Sequence, residues 1–368
     1  MRPPKLITIV LLGPSTRAVS GVSTHLNQLF GSSLAENTAL LHFQVGSEGR
    51  KESHAGKLIR FIASPIAFAG FLLRQRPQIV HLNTSLEPKS YWRDIAYLLV
   101  ARLFGRKVVY QVHGGALPEE FFAGNALLTG LLRRVLSMPD AVVLLAQVEL
   151  AAYRKFVPRQ RLEVVANAID ATPLVAAPIH AKAGAPLQLA YLGRLAENKG
   201  IFESVEALAM LVREGRDMHL SIAGGGPDEA RLQLRVAELG LGARVTFLGP
   251  LFGEAKDALW RQSDVFSFPT YHREGLPYAL LEAMAAGAVP VTTRVAAIPD
   301  VMQDGVHGLL VEAGDAAGLA RALARLDDDR AGLARMAEAG RARVLEAYTV
   351  DRLADDFRRL YADLAGEG

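Results

Sequence analysis

The stretch Arg273-Glu274-Gly275-Leu276-Pro277-Tyr278-Ala279-Leu280-Leu281-Glu282 contains two acidic residues eight positions apart. The preceding residues 265–269 are apolar enough to form a buried strand, and residues 289–293 predict the next one. Between these strands, Pro277 suits the first turn of a short helix and Gly287 suits its end. The sequence therefore places one glutamate in the loop before a helix and the other inside that helix.

The start of this helix is a candidate phosphate site, because the first N–H groups of a helix lack intrahelical partners and carry a partial positive charge. Gly275 would let a ligand approach the backbone closely. Carboxylates accept hydrogen bonds from sugar hydroxyls, so Glu274 and Glu282 indicate a nucleotide diphosphate with a sugar on each side. The alternative is that Glu274 only interacts favourably with the positive end of the helix dipole and that Glu282 is a solvated residue of the helix.

Composition limits the class of protein. The 368 residues, half of them hydrophobic, are enough for two domains of ordinary size. The chain has no cysteine, which excludes disulfides and thiolate metal sites and fits a reducing cytoplasm. Residues 5–12 are apolar behind a basic start, and we interpret them as a strand rather than a signal peptide. No apolar run reaches the ~18–20 residues that span a bilayer.

Apolar runs alternate with helical patterns in both halves, which predicts an α/β fold with parallel sheets covered on both faces. The other predicted strands are residues 6–12, 40–45, 78–83, 107–113, 141–145, 163–166, 187–193, 218–223, 245–248 and 309–312. Residues 171–186 are rich in Ala and Pro and predict a linker.

Several predicted strands end at candidate binding residues, at the edge where open α/β sheets bind ligands. Gly21 lies in a small-residue loop before a helix predicted over 24–30, which alone is a weak signal. His113 ends a strand and precedes two glycines, although a lone histidine is often structural. In the second half, Arg194 and Lys199 follow one strand, and a glycine-rich loop that includes Gly225 follows the next.

Charge is distributed unevenly. Residues 1–170 contain 20 Lys and Arg against 11 Asp and Glu, a net of +9, so the remainder has a net of −6 within the total of +3. Segments 57–76, 91–107 and 121–134 are both apolar and basic, which suits an anionic membrane surface. The alternative is ordinary sheet-covering helices with basic outer faces. We interpret the acidic run 327–329 as a solvated connection rather than a metal site.

Six motifs follow one another along the chain: Ser20-Gly21, His113-Gly114, Asn167-Ala168-Ile169-Asp170, Gly193-Arg194-Leu195 with Lys199-Gly200, Gly224-Gly225-Gly226-Pro227, and the pair Glu274 and Glu282. In this order, the motifs resemble the retaining glycosyltransferases of family 4. The resemblance covers essentially the whole chain and implies the GT-B fold, in which two Rossmann-like domains with doubly wound parallel sheets face each other across a cleft. It implies an acceptor-side domain over 1–172, a donor-binding domain over 173–349, and a final helix over about 350–368 that packs back on the first domain.

The resemblance also implies roles for single residues. Arg194 and Lys199 would bind the donor diphosphate, Glu274 the donor sugar, and Glu282 the ribose. His113 would lie beside the donor sugar. The remaining implied donor-side or loop positions are Gly21, Gly225, Leu251, Gly275 and Leu276.

Two positions depart from the family pattern. Val22 replaces the second glycine of the first loop, which puts the tightness of that loop in question, and Ala168 replaces the glycine that usually follows Asn167.

The implied reaction moves a hexose from a UDP- or GDP-sugar to a saccharide acceptor, expected to be lipid-linked, in bacterial surface-polysaccharide or glycolipid synthesis. We expect retention by same-face attack, with no metal and no cofactor beyond the nucleotide-sugar substrate. The expected location is the cytoplasm, either free or at the inner face of the plasma membrane, with no nucleic-acid partner.

Other functions compete with this one. A GT-B sugar-nucleotide epimerase and a non-catalytic nucleotide-sugar-binding module remain as alternatives. A dinucleotide oxidoreductase is disfavoured, because the first loop lacks Gly-x-Gly-x-x-Gly. The base, the hexose, the acceptor and the oligomeric state are left open by the sequence.

Overall fold

The computed structural model describes residues 7–46, 53–175, 179, 185–273 and 275–366. The chain divides into two compact units, each built around one six-stranded parallel sheet. Unit 1 comprises Met1–Ala168, Glu274–Leu276 and Val350–Gly368, and unit 2 comprises Ile169–Arg273 and Pro277–Thr349. The predicted α/β fold class with two doubly wound parallel sheets is confirmed.

The sheet of unit 1 has the strand order β2-β1-β3-β4-β5-β6. Its strands are β1 (Ile7–Gly13), β2 (Thr38–Gln44), β3 (Ile79–Leu86), β4 (Lys107–Gly115), β5 (Ala141–Leu144) and β6 (Leu162–Val164). The sheet of unit 2 has the order β12-β11-β10-β7-β8-β9. Its strands are β7 (Leu187–Leu192), β8 (Met218–Ala223), β9 (Val245–Gly249), β10 (Val265–Phe268), β11 (Val289–Thr293) and β12 (Leu309–Val311).

Helices connect these strands. They are α1 (Gly21–Gly31), α2 (Leu34–Asn37), α3 (His54–Gln75), α4 (Pro88–Leu103), α5 (Pro118–Phe121), α6 (Ala126–Leu136), α7 (Gln147–Phe156), α8 (Thr172–Val175), α9 (Ile201–Arg213), α10 (Glu229–Glu238), α11 (Gly253–Gln262), α12 (Tyr278–Ala286), α13 (Ile298–Val301), α14 (Ala316–Asp328), α15 (Arg330–Ala347) and α16 (Val350–Ala365).

Every predicted strand has a counterpart among the described residues, but some boundaries were wrong. The helix predicted over 24–30 begins at Gly21, because the Ser20 hydroxyl accepts a hydrogen bond from the Ser23 N–H at 3.3 Å and caps the helix earlier. Gly21 is thus the exposed first residue of α1 rather than part of a loop. The predicted linker contains α8, and most of its other residues lie outside the described part of the chain.

The first sheet is covered on both faces. Side chains of α3, α4, α6 and α7 pack on one face, in a cluster that includes Phe68, Tyr97 and Tyr153. Side chains of α1 and α16 contribute to a second cluster, which includes Leu26 and Phe357. The C-terminal helix α16 is therefore part of the core of unit 1.

A buried polar contact helps to fix α16. The Tyr361 hydroxyl lies 2.6 Å from Nδ1 of His81 on β3, and both residues are completely buried. Phe357 stacks on Tyr361 with ring centroids 5.5 Å apart. The last helix thereby reaches a strand at the centre of the first sheet.

No helix in the described part of the chain combines the length and the apolar character that crossing a membrane requires.

Candidate active site

The order in which strands are added to the sheet of unit 2 reverses at its first strand, β7. β8 and β9 follow on one side of β7, whereas β10, β11 and β12 lie on the other. Ligands of open α/β sheets bind beyond the carboxyl ends of the strands at such a switch point. The loops after β7, β8 and β10 lie at this edge of the sheet, and the first two contain the predicted donor-site residues Arg194, Lys199 and Gly225.

The loop after β7 carries two cations. Arg194 is exposed and forms no ion pair with any described residue. Lys199 is partly buried and ends a short 3₁₀ turn over Glu197–Lys199. The next residue, Gly200, has φ = 75°, and a Cβ there would lie 2.2 Å from the Pro269 carbonyl oxygen. Glycine is thus required immediately after the lysine.

Backbone hydrogen bonds join this cationic loop to the glycine-rich loop after β8. The Leu195 N–H donates to the Gly225 carbonyl at 3.0 Å, and the Asp228 N–H donates back to the Leu195 carbonyl at 3.1 Å. The Glu197 N–H also donates to Asp228 Oδ2 at 2.8 Å. The loop that carries Arg194 is therefore held by three hydrogen bonds to its neighbour.

The loop after β10 holds the same segment from the other side. The N–H groups of Tyr271 and His272 donate to the Asn198 carbonyl at 3.1 and 2.9 Å. The Thr270 hydroxyl donates to the same carbonyl at 3.3 Å. Three loops from three adjacent strands thus fix the backbone next to Lys199.

Glu282 lies on α12, the helix that follows β10. This helix ends as expected, with Gly287 at φ = 89° as its C-terminal cap. The Glu282 side chain is 12% exposed, and Lys256 of α11 forms an ion pair with its Oε1. Trp260 Nε1 donates to Oε2 at 3.2 Å. Both carboxylate oxygens are therefore held by α11.

Lys256 and Trp260 were missed by sequence reasoning. They lie four residues apart, on one face of a helix, but the pattern does not reveal which carboxylate that face meets. Leu251, predicted to border a base, precedes this helix and is partly buried. Gly225 is also partly exposed. Glu274 lies outside the described residues.

Of the predicted residues in unit 1, His113 lies in a strand of the sheet, whereas Gly21, Gly275 and Leu276 lie outside the sheet. His113 near the end of β4 is partly exposed, and its Nε2 lies 2.9 Å from Asn83 Oδ1. A Cβ on Gly275, which belongs to this unit, would lie 2.6 Å from the His113 carbonyl oxygen. Leu276 is buried, and its carbonyl accepts a hydrogen bond from Asn167 Nδ2 at 2.8 Å. No hydrogen bond between described residues links Gly21 to His113, Gly275 or Leu276.

Unit 1 also has a polar cavity of about 230 Å³ at the carboxyl ends of β1 and β3. Its polar lining consists of Asn83, Thr84, Ser85, Glu87, Lys89, Ser90 and Arg93. The Arg93 guanidinium is fixed by two hydrogen bonds to Asp94, from Nε to Oδ1 at 2.6 Å and from Nη2 to Oδ2 at 2.8 Å. Thr84 supports the same carboxylate through a 2.6 Å hydrogen bond. Sequence reasoning singled out the basic helix but not this cavity.

The glycine-rich loop provides a test of the loop geometry. A Cβ on Gly226 would lie 2.2 Å from the Leu195 carbonyl oxygen, whereas the nearest atoms to a Cβ on Gly225 are 3.7 Å away. Gly226→Ala must therefore displace the cationic loop, at a cost of about 1–3 kcal/mol, which corresponds to a melting temperature lower by about 3 °C or more. Gly225→Ala is the matched control and should stay within about 1 °C of the wild type in a thermal melt. Equal melting temperatures for the two variants would contradict the described contact.

Comparison with known proteins finds matches over both halves of the chain. The family described as glycosyl transferases group 1 matches residues 176–343, and the glycosyl transferase 4-like domain matches residues 36–168. The 2-deoxystreptamine glucosyltransferase of Streptomyces kanamyceticus is 29% identical over 297 residues, which cover 75% of this chain and 74% of that protein.

Two further similarities extend this comparison. A putative colanic acid biosynthesis glycosyltransferase of Escherichia coli is 33% identical over 180 residues, 47% of this chain and 44% of that protein, so less than half of its length is spanned. The structure of Anabaena HepE in complex with UDP has the same fold, with a TM-score of 0.76 and 15% identity over 97% of this chain and 100% of that one.

The family matches lie in both units, and the match over residues 176–343 spans the loops after β7, β8 and β10. The predicted family is confirmed: the chain belongs to the group 1 glycosyltransferases of family 4.

Proposed function

We propose that this glycosyltransferase moves a hexose from a UDP- or GDP-sugar to a saccharide acceptor, with retention and without a metal ion, in polysaccharide or glycolipid synthesis. The observation that carries the proposal is the placement of Arg194 and Lys199 in one fixed loop at the switch point of the second sheet. The name of the E. coli relative supports a polysaccharide product, and the UDP bound to HepE supports a nucleotide-linked donor.

The two cations suit the leaving group of such a transfer. Negative charge grows on the diphosphate as the glycosidic bond breaks, and preorganised cations stabilise that charge. Arg194 can reach the diphosphate with a planar fork of N–H donors and Lys199 with a single ammonium. We therefore assign to these side chains the neutralisation that a divalent cation performs in other transferases.

Glu282 suits the ribose. A carboxylate has about four lone-pair sites, so the single bonds from Lys256 and Trp260 leave sites for two ribose hydroxyls. The fixed orientation of the carboxylate lowers the entropy lost on binding. Leu251 is assigned to the edge of the base, and Gly225, Gly275 and Leu276 to backbone contacts with phosphate or sugar.

For the chemical step we propose same-face attack. The bond between the anomeric carbon and the phosphate oxygen breaks, the acceptor hydroxyl oxygen bonds to that carbon on the same face, and its proton passes to the departing phosphate. Glu274 is assigned to the donor-sugar hydroxyls, in keeping with the family pattern. His113 is assigned to the same sugar, and neither residue forms a covalent intermediate.

The cavity of unit 1 suits a saccharide acceptor. Hydroxyl groups of Ser85 and Ser90 line it, together with Lys89 and the immobilised guanidinium of Arg93. Lys89 and Arg93 donate hydrogen bonds, the serine hydroxyls donate or accept, and the Glu87 carboxylate accepts, a mixture that complements the hydroxyl groups of a sugar.

Helix α3 supports a lipid-linked acceptor and contact with an anionic membrane. Ile59, Ile62, Ile66 and Leu73 have exposed fractions of 60–70% and recur at a helical spacing. Arg74 at the end of this helix is also exposed, as expected for an amphipathic surface that lies on anionic lipid.

Substitution of the cations tests the donor site. Arg194→Ala and Lys199→Ala should each lower kcat/KM by about 10²–10³-fold, the usual loss for one group that stabilises transition-state charge. Steady-state transfer from the UDP- or GDP-sugar gives this number. Arg244→Ala is the control, because Arg244 precedes β9 at the opposite edge of the sheet and, among the described residues, forms an ion pair only with exposed Asp217.

Near-normal turnover of both cation variants would contradict the assignment. Activity should also survive dialysis against EDTA, because the two side chains supply the positive charge. Loss of activity in EDTA, with recovery on adding a divalent cation, would overturn metal independence.

The membrane surface is tested by charge insertion. Ile66→Asp should lower binding to phosphatidylglycerol vesicles by about tenfold or more, since it removes apolar burial worth about 1.5–3 kcal/mol. Cosedimentation measures the bound fraction. Leu234→Asp, at a similarly exposed leucine of unit 2, is the matched control and should bind as the wild type does. Unchanged sedimentation of the Ile66 variant would contradict contact through α3.

A further inference from the structure

A row of hydrogen bonds crosses the carboxyl edge of the first sheet. Leu12 lies on β1, Asn83 on β3 and His113 on β4, and these three strands are adjacent in the sheet. Asn83 is almost completely buried between the other two residues. Its side-chain amide forms a hydrogen bond with each, so the amide links the backbone of β1 to the imidazole on β4.

The orientation of this amide is determined by a backbone carbonyl. Asn83 Nδ2 donates to the Leu12 carbonyl at 3.1 Å. A carbonyl only accepts hydrogen bonds, so the amide oxygen would be repelled at that position. Oδ1 must therefore face His113, where it lies 2.9 Å from Nε2.

The amide in turn determines the tautomer of His113. An amide oxygen only accepts, so Nε2 of the imidazole must carry the proton in this hydrogen bond. A neutral imidazole has one N–H and one unprotonated nitrogen, which leaves Nδ1 as an acceptor. Nδ1 forms no hydrogen bond with any described residue.

The surroundings favour the neutral ring. Loss of solvent lowers the pKa of His113 well below its ordinary value. Burial also lowers the pKa of His25 to about 4 and that of His81 to about 3, so these neighbours are themselves neutral at neutral pH. The His25 ring packs edge-on against His113 with centroids 4.8 Å apart.

We propose that Asn83 is a positioning residue that holds His113 as the Nε2–H tautomer, so that Nδ1 accepts a hydrogen bond from a hydroxyl of the donor sugar. This inference rests on the proposed function, because that function places the sugar beside His113. An unprotonated nitrogen recognises a hydroxyl and repels a phosphate or carbonyl oxygen. Asn83 thereby helps to select the polyhydroxylated part of the donor.

Asn83 also lines the polar cavity, so a direct contact with the acceptor is the competing role. A third role is support of the fold alone, through the bond to Leu12. The three roles make different predictions for the protonation state of His113 and for the combined effect of two substitutions.

The first experiment reads the tautomer directly. The full chain is labelled with ¹⁵N-histidine, and long-range ¹H–¹⁵N spectra are recorded at neutral pH, with His113→Gln used to assign the signals. We expect the wild-type ring to show a protonated Nε2 and an unprotonated Nδ1. A protonated Nδ1, in either the other tautomer or the imidazolium, would overturn the proposal. This readout needs no activity, so it is independent of whether the proposed transfer is correct.

The second experiment is a double-mutant cycle on kcat. Asn83→Ala and His113→Ala should each reduce kcat by about tenfold, the effect of losing one hydrogen bond to the reacting sugar. The double variant should lie within about twofold of His113→Ala, because Asn83 acts through the ring. Ser85→Ala, which removes another cavity side chain, should keep its full effect in the His113→Ala background. If the reduction in kcat of the double variant equals the product of the two single reductions, Asn83 does not act through His113 and the proposal is overturned.

Discussion

Two backbone hydrogen bonds on Leu195 join the loops on which the candidate active site depends. Its N–H donates to the Gly225 carbonyl and its carbonyl accepts from the Asp228 N–H, so these bonds tie the loop after β7 to the loop after β8. The geometry demands glycine at position 226, where a side chain would meet the Leu195 carbonyl. Arg194, the residue before Leu195, is consequently presented from a fixed backbone rather than from a mobile loop. Such preorganisation lets a cation stabilise a developing charge without reorganisation during the reaction.

The same principle recurs in each unit with different groups. In unit 2, α11 supplies an ammonium and an indole N–H that fix the Glu282 carboxylate. In unit 1, a carbonyl on β1 fixes an amide on β3, which fixes an imidazole on β4. In both units the groups assigned to substrate hydroxyls, the Glu282 carboxylate and the His113 imidazole, are oriented by hydrogen bonds with neighbouring side chains. Specificity for a sugar depends on such placement, because each hydroxyl contributes only a modest hydrogen bond.

The sequence predicted the strands well because buried parallel strands are continuous apolar runs bounded by loops. It also located the cationic loop and the glycine-rich loop, since both follow such runs directly. The start of α1 was missed because it is set by a hydrogen bond to the Ser20 side chain, and the periodicity of apolar residues does not show which serine caps the helix. Lys256 and Asn83 were missed for a related reason. Each contacts a particular side chain on another element, and local sequence does not indicate which side chains come together in the folded chain.

The central claim is that unit 2 recognises the diphosphate of a nucleotide sugar through Arg194 and Lys199. Calorimetric titration of the wild-type protein with UDP, UMP and uridine, and with GDP, GMP and guanosine, in EDTA tests it most directly. We predict that one diphosphate binds, and that its affinity exceeds that of the matching monophosphate by about tenfold or more, because two cations contact the second phosphate. Equal affinity for the diphosphate and the nucleoside, or no binding of any of these ligands at millimolar concentration, would contradict the claim.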